Sequence, residues 1–199
     1  MTLILSSLSA RNQLPQMMKQ SAPCGVGVEV GVHRAEYLVA LAQGWPEAQL
    51  YGVDPWSIPE GYENQSMMLT GWRSGPLPNR DVDYGIARDK TSCYGDRVEL
   101  ICGFSVEVAE RFDDDSTDFV YLDGDHSREA VEADVAAWWP KIKEGGVLAG
   151  HDFVTPQIDD GGWGRFVQPV VMDHAEKFKR DVYMIVEGRG MPWSWYLFK

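Results

Sequence analysis

At 199 residues, 44% hydrophobic and 12% aromatic, the chain has the size and composition of one globular domain rather than of a disordered segment. Its formal net charge of -12 argues against a nucleic-acid partner, because binding a polyanion needs clustered Lys and Arg. The 3 cysteines, Cys24, Cys93 and Cys102, are too few and of the wrong parity for a disulfide framework, so reduced, buried thiols are expected. The N-terminal Met-Thr-Leu-Ile-Leu-Ser-Ser-Leu lacks a basic leader region, and no stretch reaches the roughly 18 apolar residues of a membrane span. A cytoplasmic protein without membrane contact is therefore expected. A single domain over 1–199 follows, in which residues 1–24 form a helical extension on the weak pattern Leu14, Met17, Met18 before Pro23.

The run Val26-Gly-Val-Glu-Val30 reads as a buried strand, and Tyr37, Leu38, Leu41 and Ala42 then follow helical spacing until Gly44. The change of period falls at Gly31, where a glycine lets the backbone turn sharply and approach a ligand while the new helix offers its free N–H groups. Gly25 and Gly27 lie before or inside the strand instead of after it, so a dinucleotide fingerprint is not met. Next, Leu50-Tyr-Gly-Val-Asp54 is a short strand ending in an acid, a little over the roughly 20 residues past a glycine turn at which such folds place a carboxylate on ribose hydroxyls. A strand-ending Asp is also a common helix cap. Residues 55–80 are rich in Pro, Gly, Trp and Met, and Trp56, Tyr62, Met67, Met68 and Trp72 suit either an apolar lid or ordinary packing over the sheet edge.

A helix near 83–94 ends at Gly95, and Arg97–Cys102 supplies a third strand followed by Gly103-Phe104-Ser105, with Ser105 suited to cap a helix over 106–112. Asp118-Phe-Val-Tyr-Leu-Asp123-Gly-Asp125-His126-Ser127 is a fourth strand ending in polar groups, which is where open α/β sheets bind ligands. Ser127 suits the cap of a helix whose Val131, Val135, Trp138 and Ile142 share one face. Gly146-Val-Leu-Ala-Gly150 is a fifth strand ending in His151-Asp152-Phe153. Asp123, His126, His151 and Asp152 are ligand types that a divalent cation accepts, and neighbouring strand ends would bring them together. Each alone has a plainer use: a strand-end Asp caps, and a lone His hydrogen-bonds. A glycine-rich loop over 157–165, a helix over 167–179, and strands over 182–187 and 193–199 complete the chain.

Glu29-x-Gly31-x-x-x-Ala35 at a strand end resembles the class I methyltransferases that bind S-adenosylmethionine, with Ala35 where the family usually has a glycine. Leu-Asp123-Gly-Asp-His126-Ser and Gly-Gly-Val-Leu-Ala-Gly-His151-Asp152-Phe resemble small-molecule methyltransferases of the macrocin and catechol O-methyltransferase type, and together the motifs span roughly residues 25 to 155. The resemblance implies an α/β, Rossmann-like, doubly wound and mostly parallel seven-stranded sheet with an antiparallel last strand inserted beside the sixth. It implies that S-adenosylmethionine is held by Glu29, Gly31, Asp54, Gly103, Phe104, Ser105 and Asp123. It further implies a cation, magnesium or another divalent ion, at Asp123, His151 and Asp152, with His126 in the slot of the family's lysine base. The unperturbed imidazole pKa of about 6.5 suits a base near neutrality, and His151 is the alternative base if no metal binds. The expected activity is methyl transfer to a small-molecule acceptor, probed against two rivals: a metal-dependent hydrolase and a non-catalytic module that binds S-adenosylmethionine. A homo-oligomer is compatible with all three.

Overall fold

The computed structural model describes residues 1–56, 80–153, 164–188 and 193–199. The expected lid residues Tyr62, Met67, Met68 and Trp72 and the glycine-rich stretch 157–163 lie outside them. One eight-stranded sheet runs in the order β1-β7-β8-β6-β5-β2-β3-β4. Its strands are β1 (Leu3–Leu5), β2 (Val26–Val30), β3 (Gln49–Asp54), β4 (Val98–Cys102), β5 (Thr117–Leu122), β6 (Ile142–Phe153), β7 (Val182–Ile185) and β8 (Trp193–Phe198). Pairings along the sheet are parallel except those of β8, which lies antiparallel between β6 and β7. The inserted antiparallel last strand is thus as expected. The strand number is corrected from seven to eight, because Leu3–Leu5 adds to the edge by pairing with Val182–Met184.

Helices cover both faces, since a sheet whose central strands are apolar on both sides must bury both. On one face lie α1 (Leu14–Ser21), α2 (Glu36–Gly44) and α3 (Arg80–Thr91), which pack Leu14, Met18, Leu38, Leu41 and Ala87 against Leu50, Phe119 and Tyr121. On the other lie α4 (Ser105–Ala109), α5 (Arg128–Trp138) and α6 (Val167–Phe178), which pack Val108, Val131, Trp138 and Val171 against Val28, Val120 and Leu148. Each fully buried aliphatic side chain of this kind stabilises the fold by about 1.5–3 kcal/mol relative to exposure. Three local expectations are corrected. Ile142 is not on the helix, because Pro140 ends the helical run in a 3-10 turn and Ile142 opens β6. The cap of α4 is Phe104 instead of Ser105, and the three cysteines are free but exposed. Ser127 does cap α5, accepting from the Ala130 amide at 3.3 Å.

Candidate active site

Chain direction puts the carboxyl ends of β2, β3, β4, β5 and β6 on one rim. The Gly31 amide donates to the Val53 carbonyl at 2.9 Å and the Asp123 amide to the Val30 carbonyl at 2.8 Å, which ties three strand ends together. Gly31 has φ +87, and a Cβ built there would lie 2.1 Å from the Asp123 carbonyl oxygen. Only glycine fits between these two turns. The loop then passes His33 (φ 51) and Ala35 (φ 62) into α2, whose first turn has no side-chain cap and keeps its N–H groups available. A left-handed alanine costs roughly 1–2 kcal/mol, so the departure from glycine at this position stores strain at the rim.

Besides Gly31 and Asp123, four more of the sequence-predicted cofactor residues, Glu29, Asp54, Gly103 and Phe104, lie at this rim. Glu29 is 2% exposed and its Oε2 has no hydrogen-bond partner among the described residues. Burial first, and then the neighbouring Asp123 charge, push its carboxyl well above the ordinary range. Asp54 accepts from the His33 amide at 2.9 Å and the Trp56 amide at 2.8 Å, and the Gly103 amide donates to the Asp54 carbonyl at 3.1 Å. It caps no helix among the described residues but clamps the loops at His33 and Trp56, and it stands at the strand end next to Gly31. Phe104 is 39% exposed beside it. Ser105 turns the other way: its Oγ accepts from the Trp138 indole at 2.9 Å, so the hydroxyl braces α4 against α5.

The polar groups of β5 and β6 converge. His126 Nε2 lies 3.0 Å from Asp152 Oδ2 and 3.8 Å from Asp123 Oδ1, near enough for charge pairing but out of line for a hydrogen bond. His151 Nδ1 lies 3.2 Å from Asp152 Oδ2, and its Nε2 lies 3.6 Å from Glu187 Oε2. Successive strand residues ordinarily point to opposite faces. Here the β6–β8 register shifts between Gly150 and Phe153, and Asp152 takes φ 53, so His151 and Asp152 both reach the cluster. Donor atoms of Asp123, His126 and Asp152 lie within 4.8 Å of one another, a mixed carboxylate and imidazole set that divalent cations accept. The set includes His126, while His151 is held between Asp152 and Glu187.

The electrostatics of the two imidazoles follow from the carboxylates around them. Burial alone disfavours the His126 imidazolium, but the carboxylates of Asp123 and Asp152 outweigh it and push the pKa up to about 10. His151 is likewise raised against burial to about 9 by Asp152, Glu187 and Asp123. Without a cation both imidazoles are charged near neutrality, so neither is ready to take a proton. A group whose folded pKa is raised contributes stability that is fully present below its unfolded value of about 6.5 and is lost as pH rises through the folded value. The cation-free protein is accordingly expected to lose thermal stability from pH about 7 upward through 9 and 10. A melting temperature that stays flat across that range would refute these pairings.

Sequence reasoning missed Arg11, Tyr121, Glu187 and Ser194. Arg11 Nη1 lies 3.3 Å from the Tyr121 hydroxyl and 3.4 Å from Asp123 Oδ2, and the Arg11 amide donates to Glu187 Oε1. Ser194 Oγ donates to Glu187 Oε2 at 3.0 Å and lies 3.3 Å from the Tyr121 hydroxyl. Burial alone would raise the Glu187 carboxyl, but His151, the Arg11 amide and Ser194 hold it below its ordinary value. Glu187 follows β7 as Asp54 and Asp123 end their strands, so its position was a usable signal. Arg11 had none.

A doubly wound sheet with β8 inserted antiparallel beside β6, a glycine turn after β2 and acids ending β2, β3 and β5 defines the class I S-adenosylmethionine-dependent methyltransferases. The chain belongs to the methyltransferase-domain family, which it matches over residues 28–153. Among solved structures it is similar to cofactor-bound Rv0187 from MTB (14% identity, TM-score 0.66, covering 98% of this chain and 83% of that one). It is similar also to the O-methyltransferase from Bacillus cereus in complex with SAH (15% identity, TM-score 0.63, covering 98% and 83%). A third, the precorrin-6y C5,15-methyltransferase from Geobacter metallireducens, shares 13% identity at a TM-score of 0.61, covering 98% and 92%. At these identities the likeness is one of fold. No curated protein matches the chain in sequence. Among the described residues no helix is long and apolar enough to cross a membrane.

Proposed function

We propose that the chain transfers the methyl group of S-adenosylmethionine to a hydroxyl of a small-molecule acceptor, with a divalent cation held at Asp123 and Asp152. The observation that carries this is the convergence of Asp123, His126 and Asp152 on the rim that also bears Glu29, Gly31 and Asp54. The cofactor supplies an electrophilic sulfonium methyl, and the cation would lower the acceptor hydroxyl pKa. Glu29 and Asp54 are acceptors for the ammonium and the ribose hydroxyls; the orphaned, buried Oε2 of Glu29 fits a ligand that brings its own donor. Alignment of acceptor and methyl is the protein's main contribution. His126 would take the proton at Nε2, and a cation held at Asp123 and Asp152 would offset the attraction that keeps the imidazole charged. His151, committed to Asp152 and Glu187 on its two nitrogens, orients Asp152. The net charge of -12 and the acid-rich rim favour a small acceptor over a nucleic acid.

A second reading makes His126 the third ligand, because its Nε2 falls within the same 4.8 Å set. Calorimetry with S-adenosylmethionine and with magnesium or manganese, followed by turnover on hydroxyl acceptors with and without chelator, tests the whole. A hydrolase would ignore S-adenosylmethionine, and a binding module would bind it without cation dependence or turnover. Within this reading, Asp54→Ala is expected to weaken S-adenosylmethionine binding by about 1.5–3 kcal/mol, the range for hydrogen bonds to a charged group. Unchanged affinity in the folded variant would remove Asp54 from the ribose contact and leave it as the clamp on His33 and Trp56.

A further inference from the structure

The amino-acid end of S-adenosylmethionine presents an ammonium, a sulfonium and a carboxylate. The rim offers the first two a surplus of acids: Glu29, Asp123, Asp152 and Glu187. A carboxylate brought among them needs a cation, and the imidazoles of His126 and His151 are already flanked by carboxylates. Arg11 is placed to serve. Its guanidinium sits over the ring of Tyr37, the second residue of α2, 5.2 Å from the centroid. Its Nη1 reaches Tyr121 and Asp123 only at 3.3 and 3.4 Å, and among the described residues Nε and Nη2 have no hydrogen-bond partner. The long ion pair, on a side chain that is 31% exposed, is worth little, and the Tyr121 and Tyr37 contacts engage only Nη1 and the face of the guanidinium.

The backbone of Arg11, in contrast, is fixed from two directions. The Tyr37 hydroxyl donates to the Arg11 carbonyl at 3.2 Å, and the Arg11 amide donates to Glu187 Oε1. Residues from α2 and from beyond β7 thus hold the segment before α1 against the rim, while a planar fork with spare N–H groups is left over for a ligand. That is the donor geometry that recognises carboxylates in pairs of parallel hydrogen bonds.

Resting on the methyltransferase reading above, we propose that Arg11 receives the α-carboxylate of S-adenosylmethionine, so that the segment ahead of α1 forms one wall of the cofactor site. The segment lies outside the matched residues 28–153, so this contact belongs to this chain's own N-terminal part.

The test compares two ligands on three proteins by calorimetry: S-adenosylmethionine and its decarboxylated analogue, on the unmodified chain, Arg11→Met and Arg11→Lys. The expected result is a loss of about 10- to 100-fold in S-adenosylmethionine affinity for Arg11→Met, with the analogue's affinity unchanged and Arg11→Lys in between. Because the ratio of the two affinities is taken within one folded preparation, partial unfolding does not mimic it, and thermal melts confirm the folded fraction. Equal weakening of both ligands would make Arg11 a wall residue without carboxylate contact and overturn the proposal. Undiminished S-adenosylmethionine binding would overturn it as well. An unmodified chain that binds neither ligand would instead bring down the cofactor reading itself, and the Arg11 proposal with it.

Discussion

His126→Ala is expected to lower turnover by about 10²- to 10⁴-fold, the scale of general-base catalysis, while S-adenosylmethionine binding persists. The expectation comes from geometry: Nε2 is the imidazole atom lodged over Asp152 at 3.0 Å and Asp123 at 3.8 Å, beside the place where a cation held by these carboxylates would orient an acceptor hydroxyl. Without a cation its pKa of about 10 makes it an acid at neutral pH. The rate of the unmodified protein should therefore rise towards pH 10 when chelated and shift to lower pH when a divalent cation neutralises the two acids, and this limb should vanish in His126→Ala. Asp123→Asn and Asp152→Asn should each lose turnover with cofactor binding intact. Calorimetric titration with the cation separates the base from the ligand reading, since removing a base that competes as an imidazolium for Asp123 and Asp152 leaves cation affinity equal or higher, whereas removing a third ligand lowers it. Normal turnover per folded molecule with a lowered melting temperature would make His126 structural. A chelator-insensitive protein disabled by His151→Ala but not by His126→Ala would overturn both the cation and the base assignments.

The strands that carry the site were legible because each is an apolar run broken by a polar residue at its carboxyl end. Val26–Val30, Leu50–Asp54 and the run to Asp123 meet that description, and the structure aligns them in register on one rim. The first strand was not legible. Leu3–Leu5 is too short to show alternation, and it is a strand only because Val182–Met184, remote in sequence, offers it a free edge. Ile142 continued the helical spacing of Val135 and Trp138, yet the ring of Pro140 intervenes and the residue belongs to the sheet. Residue types at the site were readable, whereas their protonation was not, since the imidazole pKa depends on which carboxylates the bulge at His151 and Asp152 swings beneath it. The same limit hid Arg11: no local pattern announces a residue whose role is set by Tyr37, Tyr121, Asp123 and Glu187 from three other parts of the chain.

Gly31→Val is expected to abolish S-adenosylmethionine binding and turnover together, a larger effect than loss of any single polar contact on the rim. Two physical causes act at once. The residue has φ +87, which a β-branched side chain adopts only with strain of order 1–3 kcal/mol. Its Cβ would also fall 2.1 Å from the Asp123 carbonyl oxygen and 2.7 Å from the Gly124 amide nitrogen, both backbone atoms that cannot rotate away. Relief requires the turn after β5 to move, and that turn carries Asp123 and leads into His126. The hydrogen bond from the Asp123 amide to Val30 would be lost in the same displacement. The damage should stay local, because the core on both faces of the sheet packs through Val28, Val30, Leu50 and Phe119 rather than through Gly31. Far-ultraviolet circular dichroism should thus keep the native shape, while calorimetry shows no cofactor binding and the pH-dependent stability assigned to the His126 pairings shrinks. A Gly31→Val protein that binds S-adenosylmethionine normally would show that the β5 turn can shift without disturbing the cofactor, and would separate the two halves of the proposed site.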